Sequence, residues 1–141
     1  MSFRRGESAG YLVNHAARLF AKALQDEISG HGVWPGYFPV LLALWEGDGR
    51  TQAELARTIA LQQPTLAHTL RRMQRDGLIR RVPDPTDRRA ERIHLTPRAR
   101  TLEEALTRSA RRVNERALRG LGTKERAALL HSLRRAIENL G

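Results

Sequence analysis

The side chains of this chain that could do chemistry are cations, amides and hydroxyls rather than acids or nucleophiles. Arg88 and Arg89 stand side by side in DPTDRRAERIHLT, the stretch from Asp84 to Thr96, where a turn-forming Asp-Pro-Thr-Asp precedes them and an alternating Arg-Ile-His-Leu follows. A second stretch holds Gln63, Pro64, Thr65, His68, Thr69, Arg72 and Arg75. Amides and hydroxyls recognise base edges, and arginines recognise phosphates and narrow, negatively charged grooves. Duplex nucleic acid is the substrate class that suits both sets. The formal net charge of +10 points the same way, since such a field favours polyanions.

Catalysis has no comparable support. A glycine-rich phosphate loop, a nucleophile elbow and a metal-binding helix are all missing from the sequence, and its acids are scattered, so the chain reads as a non-enzyme. The five histidines (His15, His31, His68, His94, His131) show no metal-ligand spacing, and there is no cysteine for a disulfide, a thiolate site or a thiol switch. Neither a metal nor another cofactor is expected. The longest apolar run, Val40 to Trp45, is too short to span a bilayer, and Met1 to Gly10 is polar without a signal-peptide core. A cytoplasmic protein with no membrane partner is expected.

Positioning these residues requires a particular order of elements. At 141 residues the chain has room for one domain with one core. Tyr11 to Ile28 repeats its apolar residues near a helical period, and Ser29-Gly30-His31-Gly32 ends that helix. A short helix over Pro35 to Trp45 tolerates Pro39 near its first turn, and Gly47-Asp48-Gly49 is a turn. Thr51-Gln52-Ala53-Glu54 is a capping box that opens a third helix ending near Ala60. After Leu61-Gln62-Gln63, Pro64 suits a first helical position, and the helix it opens turns Leu66, Leu70 and Met73 inward. Asp76-Gly77 stops it. Leu78 to Val82 and Arg92 to Leu95 read as strands, with Ile93 and Leu95 facing the core, and the eight residues from Pro83 to Ala90 exceed an ordinary hairpin loop. Thr96-Pro97 caps a long helix that Gly120 and Gly122 break, and a last helix starts at Thr123. The fold class is mainly α with a small β-hairpin. Two short helices joined by a tight turn and followed by a two-stranded ribbon form a winged helix-turn-helix.

That layout assigns roles. The helix from Gln63 to Arg75 enters a major groove with Gln63, Thr65, His68 and Thr69 outward in its first two turns. Gln63 could pair with adenine, the threonines could meet phosphate or a thymine methyl, and Arg72 and Arg75 would meet the backbone. Arg88 or Arg89, at the wing tip, would enter the adjacent minor groove, with Asp87 fixing an arginine and holding the tip in shape. The charge does not follow these roles closely: residues 1–61 sum to zero, 62–95 to +4 and 96–141 to +6. The basic tail reads as the solvated faces of long helices. The apolar stripes near the two ends of the chain call for a partner surface, which suggests a homodimer.

The stretch DPTDRRAERIHLT resembles the wing of the multiple-antibiotic-resistance regulator (MarR) family. TQAELARTIALQQPTLAHTLRRMQRDGLI, from Thr51, is similar to that family's helix-turn-helix, most nearly to its SlyA-like branch. The match is dense over residues 51–96 and follows element order from Tyr11 onward. The resemblance implies a homodimer of a single MarR-like domain over residues 1–141. Its winged helix-turn-helix would be residues 34–96, and its helical dimerisation part 8–31 with 97–141. It implies a transcriptional regulator, usually a repressor, that binds double-stranded DNA at a near-palindromic operator and is released by a small aromatic or lipophilic effector. Pro64, Thr65 and His68 fall at its major-groove contacts and Arg88 at its minor-groove contact. His68 stands where that branch commonly has arginine. The effector pocket would lie between platform and winged part, near His15, Arg18, Trp34, Tyr37 and Phe38. The competing expectation is an architectural winged-helix DNA-binding protein without ligand response.

Overall fold

Ser8 accepts a hydrogen bond from the Tyr11 amide and thereby starts α1, Ala9–Ile28, in the computed structural model, which describes residues 2–141. A single 3₁₀ turn, Ser29–His31, ends it at Gly32, whose φ of 71° is left-handed. The segment expected to be one helix from Pro35 begins as a 3₁₀ turn, Pro35–Tyr37, and becomes α2, Phe38–Glu46, with Pro39 in its first turn, where no N–H is needed. The capping box at Thr51 forms as expected. The Thr51 hydroxyl accepts from the Glu54 amide and the Glu54 carboxylate from the Thr51 amide, both at 3.2 Å, and α3 spans Gln52–Ile59. Ala60, at φ 52°, turns the chain toward α4, Gln63–Arg75. Long helices α5, Pro97–Ala117, and α6, Thr123–Leu140, complete the chain.

One expectation needs correction. The ribbon is not two-stranded but a three-stranded antiparallel sheet in the order β1-β3-β2, with β1 at Arg50–Thr51, β2 at Ile79–Pro83 and β3 at Glu91–Leu95. Two residues cannot display a period, so β1 looked like a turn running into a cap. Its partner lies more than forty positions away, with Arg50 opposite Ile93 and Thr51 opposite Arg92. Between β2 and β3 the register pairs Ile79 with Leu95 and Pro83 with Glu91.

The core is one cluster, in which Leu41 and Leu44 of α2, Leu55 of α3, Leu66, Leu70 and Met73 of α4 and Ile93 of β3 meet Ile28 and Leu106 from the long helices. Burial of this kind contributes about 1.5–3 kcal/mol per large side chain, which fixes the orientation of α4. The opposite holds for α6, none of whose residues is buried. Leu12 of α1 and Leu130 of α6 are 48% and 47% exposed, so the chain does not cover these stripes itself. No helix among the described residues is long and apolar enough to cross a membrane.

Candidate nucleic-acid interface

Burial of Leu66, Leu70 and Met73 at helical spacing forces the other face of α4 outward. Gln63, Pro64, Thr65 and His68 are exposed in its first turns, and Thr69 is half-buried beside them. The N-cap, Gln62, gives no side-chain cap, so the first amides of the helix are not capped by a side chain. Gln63 is partly engaged: its Oε1 accepts from Gln52 Nε2 at 3.3 Å. Its amide nitrogen remains a donor, and pairing with adenine in two bonds would require release of Gln52.

Arg72 and Arg75 do not project freely. The Arg72 guanidinium sits over the rings of Trp34 and Tyr37, at 6.0 and 5.9 Å from their centroids. Arg75 Nε donates to Asp76 Oδ1 at 3.2 Å, while the Tyr37 hydroxyl donates to Asp76 Oδ2 at 2.5 Å. Burial, and then the Asp76 carboxylate, push the Tyr37 phenol up. The Tyr37 hydroxyl, with Arg75, holds Asp76 below the usual carboxylate range, and Asp76 raises Arg75 in turn. This network ties the end of α4 to the connection between α1 and α2. Arg98 reinforces it by donating to the carbonyls of Asp76 and His31.

The wing loop is organised by Asp84, which the sequence reading did not single out. Its buried carboxylate accepts at Oδ1 from the Thr86 amide (2.8 Å), the Thr86 hydroxyl (2.8 Å) and the Asp87 amide (3.3 Å), and at Oδ2 from Arg92 Nε (3.0 Å). These bonds, those of Thr86 foremost, hold its pKa below the usual range. The available signal was local: Asp-Pro-Thr-Asp can form an Asx turn. Asp87 supports the tip, but by accepting from the Arg89 backbone amide at 2.9 Å rather than from a guanidinium. The acid that fixes an arginine is Asp84. Arg88 and Arg89 are exposed and, among the described residues, their guanidiniums make no hydrogen bond or ion pair.

Wing and helix are held together by Arg81, a second residue that the sequence reading missed. From β2 it donates to Gln74 Oε1 of α4 (3.2 Å) and Gln52 Oε1 of α3 (3.5 Å), and it lies 3.6 Å from Glu91 of β3. The alternation-breaking Arg80-Arg81 was its only trace in the sequence. Arg57, Arg71 and Arg80 are further exposed cations on this unit. The exposed face of α4 and the tip are thus joined within one unit by these bonds.

The five pocket candidates do not meet in one cavity of the single chain. Trp34 and Tyr37 come together around Arg72. Trp34 also lines a cavity of about 150 Å³ with Gln25, Ser29 and Val33, whereas Phe38 lines another of about 230 Å³ with Phe20, Leu24 and Val113. His15 packs edge-on against Tyr11 at 6.0 Å, and Arg18 is exposed on α1.

A family model described as "MarR family" matches residues 31–90. The HTH-type transcriptional repressor NicR of Pseudomonas putida is 29% identical over 133 residues, covering 94% of this chain and 84% of that protein. A probable transcriptional regulator from Pseudomonas aeruginosa superposes with a TM-score of 0.87 at 30% identity, over 94% of this chain and 99% of that one. Bordetella bronchiseptica BpsR, whose structure concerns regulation of its DNA binding by 6-hydroxynicotinic acid, also gives 0.87, at 26% identity over 96% and 97% of the two chains.

Proposed function

This chain belongs to the MarR family, and from that premise we propose that it is a homodimeric, sequence-specific repressor released from DNA by a small aromatic acid. One observation carries the DNA-binding part: the exposed face of α4 and the Arg88–Arg89 tip, whose guanidiniums are unpaired among the described residues, belong to one unit within which Arg81 and Arg92 are already engaged. In this reading Gln63, Pro64, Thr65, His68 and Thr69 face the major groove, and Arg88 or Arg89 the minor groove. Arg72 and Arg75 set the pose of the helix before they meet any phosphate. Residues 34–96 act as the DNA-binding part, and 8–31 with 97–141 as the dimerisation part.

The dimer is supported by the uncovered apolar groove of about 610 Å³ between α1 and α6, where Leu12, Val13 and Phe20 face Leu129, Leu130 and Leu133. A second copy would cover it, and two-fold symmetry would set two reading helices about 34 Å apart, one turn of DNA. The aromatic-acid effector rests on the likeness to BpsR and on the cation–aromatic pairing of Arg72 with Trp34.

Selection of bound duplexes from a random pool tests the reading, followed by titration of the selected and a random duplex at two salt concentrations. A preference of roughly 10³ or more that survives the higher salt is expected. Equal affinity for both duplexes would favour an architectural protein instead. In the same selection Thr65→Ala and His68→Ala should change the preferred sequence, and an unaltered profile would remove both from base reading.

A further inference from the structure

Residues 108–126 carry seven basic and two acidic side chains, so this stretch alone supplies half of the net charge of +10. It lies away from the α4 face: along α5, Arg108 is about 17 Å and Arg116 about 29 Å from Pro97, just after the sheet ends. Solvated helix faces were the expectation for this charge. The structure instead gathers Arg108, Arg111, Arg112, Arg116, Arg119 and Arg126 around an open groove of about 600 Å³, bounded by α5, the turn at Gly120 and the start of α6.

The acids of the groove are already engaged. Arg112 donates through Nε and Nη2 to Glu27 Oε2 (3.0 and 2.8 Å), and Arg126 donates to Glu115 Oε1 at 2.8 Å and to the carbonyls of Leu118 and Leu121. Arg108 holds Glu104 at 2.7 Å. Arg111, Arg116 and Arg119 are left exposed, their guanidiniums without a hydrogen bond or ion pair among the described residues. Like charges four positions apart on a helix repel, and Arg108, Arg112 and Arg116 of α5 are spaced in that way. A bound anion would relieve that repulsion.

We propose that this groove binds a small molecule bearing a compact, multiply charged phosphate group, a di- or triphosphate. Guanidinium forks match phosphate oxygens two at a time, and Arg111 and Arg116 lie about 8 Å apart along α5, with Arg119 in the turn that follows. The volume falls within the range of small-molecule sites. An acidic peptide is disfavoured by the lining, in which Val113 supplies the apolar contact and no aromatic or long aliphatic anchor is present. Most of the groove also lies away from the apolar face that a second copy would cover, with Arg116 at the border. At 3.6 residues per turn, Arg108 and Arg112 point roughly 180° and 140° away from Ala117, which lines the apolar groove.

Calorimetric titration of the full chain with inorganic tripolyphosphate, without DNA and at about 0.15 M salt, tests this. Saturable binding near one per chain is expected, weakened roughly tenfold or more in the Arg111→Gln/Arg116→Gln/Arg119→Gln variant and unchanged in Arg88→Gln/Arg89→Gln. The triple variant should melt no lower than the parent and bind the selected duplex equally well. Non-saturating binding, equal binding by the triple variant, or loss in the wing variant overturns the site. Lower melting or lost duplex affinity in the triple variant overturns it as well, since the arginines would then be structural or part of the DNA surface. The inference does not rest on the DNA-binding reading, which stands or falls on duplex affinity alone.

Discussion

Replacing Tyr37 by phenylalanine removes one hydroxyl that joins the α1–α2 connection to the end of α4. The ring stays, so packing and the Arg72 contact are preserved, and the change isolates the bond to Asp76. A hydrogen bond to a charged group contributes about 1.5–3 kcal/mol. Tyr37 is 2% exposed, so water does not replace the lost donor, whereas Arg75 still holds the other carboxylate oxygen. A loss of about 2 kcal/mol follows, or roughly 4–8 °C in melting temperature at fixed protein concentration. The pH dependence has a definite sign. The folded pKa of Asp76 is lowered, so its contribution is complete above about pH 4 and fades as the pH falls through the folded value. The folded pKa of Tyr37 is raised, so its contribution is complete below about pH 10 and fades above that. Urea denaturation of parent and variant at neutral and acid pH measures both effects. The gap between them should be constant around neutrality and close in acid. A gap under about 0.5 kcal/mol at neutral pH, or one that widens in acid, would refute the reasoning.

Three further outcomes are expected. Arg88→Ala should leave the melting temperature within about a degree and lower the slope of log affinity against log salt by about 2 for a dimer, near one per wing; anisotropy titrations at several salt concentrations read this directly. Asp84→Ala removes the acceptor of four bonds, so hydrogen exchange over residues 84–90 should accelerate and DNA affinity fall, with helical content unchanged. Because Asp84 titrates below the usual range, parental loop protection should persist until the pH drops below about 4. Leu130→Asp places a charge in the apolar groove, and sedimentation should show a monomer where the parent is a dimer; an unchanged sedimentation coefficient would move the interface elsewhere.

Local signals made most of the fold legible. A cap acts within three residues, a left-handed glycine on its own turn, and an apolar stripe within one helix, so the boundaries of α1, α3, α4 and α5 could be read closely from Ser29–Gly32, Thr51–Glu54, Asp76–Gly77 and Thr96–Pro97. The same locality explains the omission of β1, whose two residues acquire meaning only opposite Ile93 and Arg92. Exposure of the first turns of α4 followed from Leu66, Leu70 and Met73, and exposure of the tip followed from the length of its loop.

By itself, the sequence determined the order of elements, the amphipathic faces and the sign of the charge, because each is set by neighbours along the chain. Only the tertiary structure decided which arginines remain available. Arg72, Arg75, Arg81 and Arg92 are held by Trp34, Asp76, Gln74 and Asp84, whereas among the described residues the guanidiniums of Arg88, Arg89, Arg111, Arg116 and Arg119 are not held. All carry the same charge in the sequence. What separates them is whether folding brings an acceptor or an aromatic face within a few ångströms, and Coulomb and hydrogen-bond energies fall too steeply with distance for composition to stand in for that geometry.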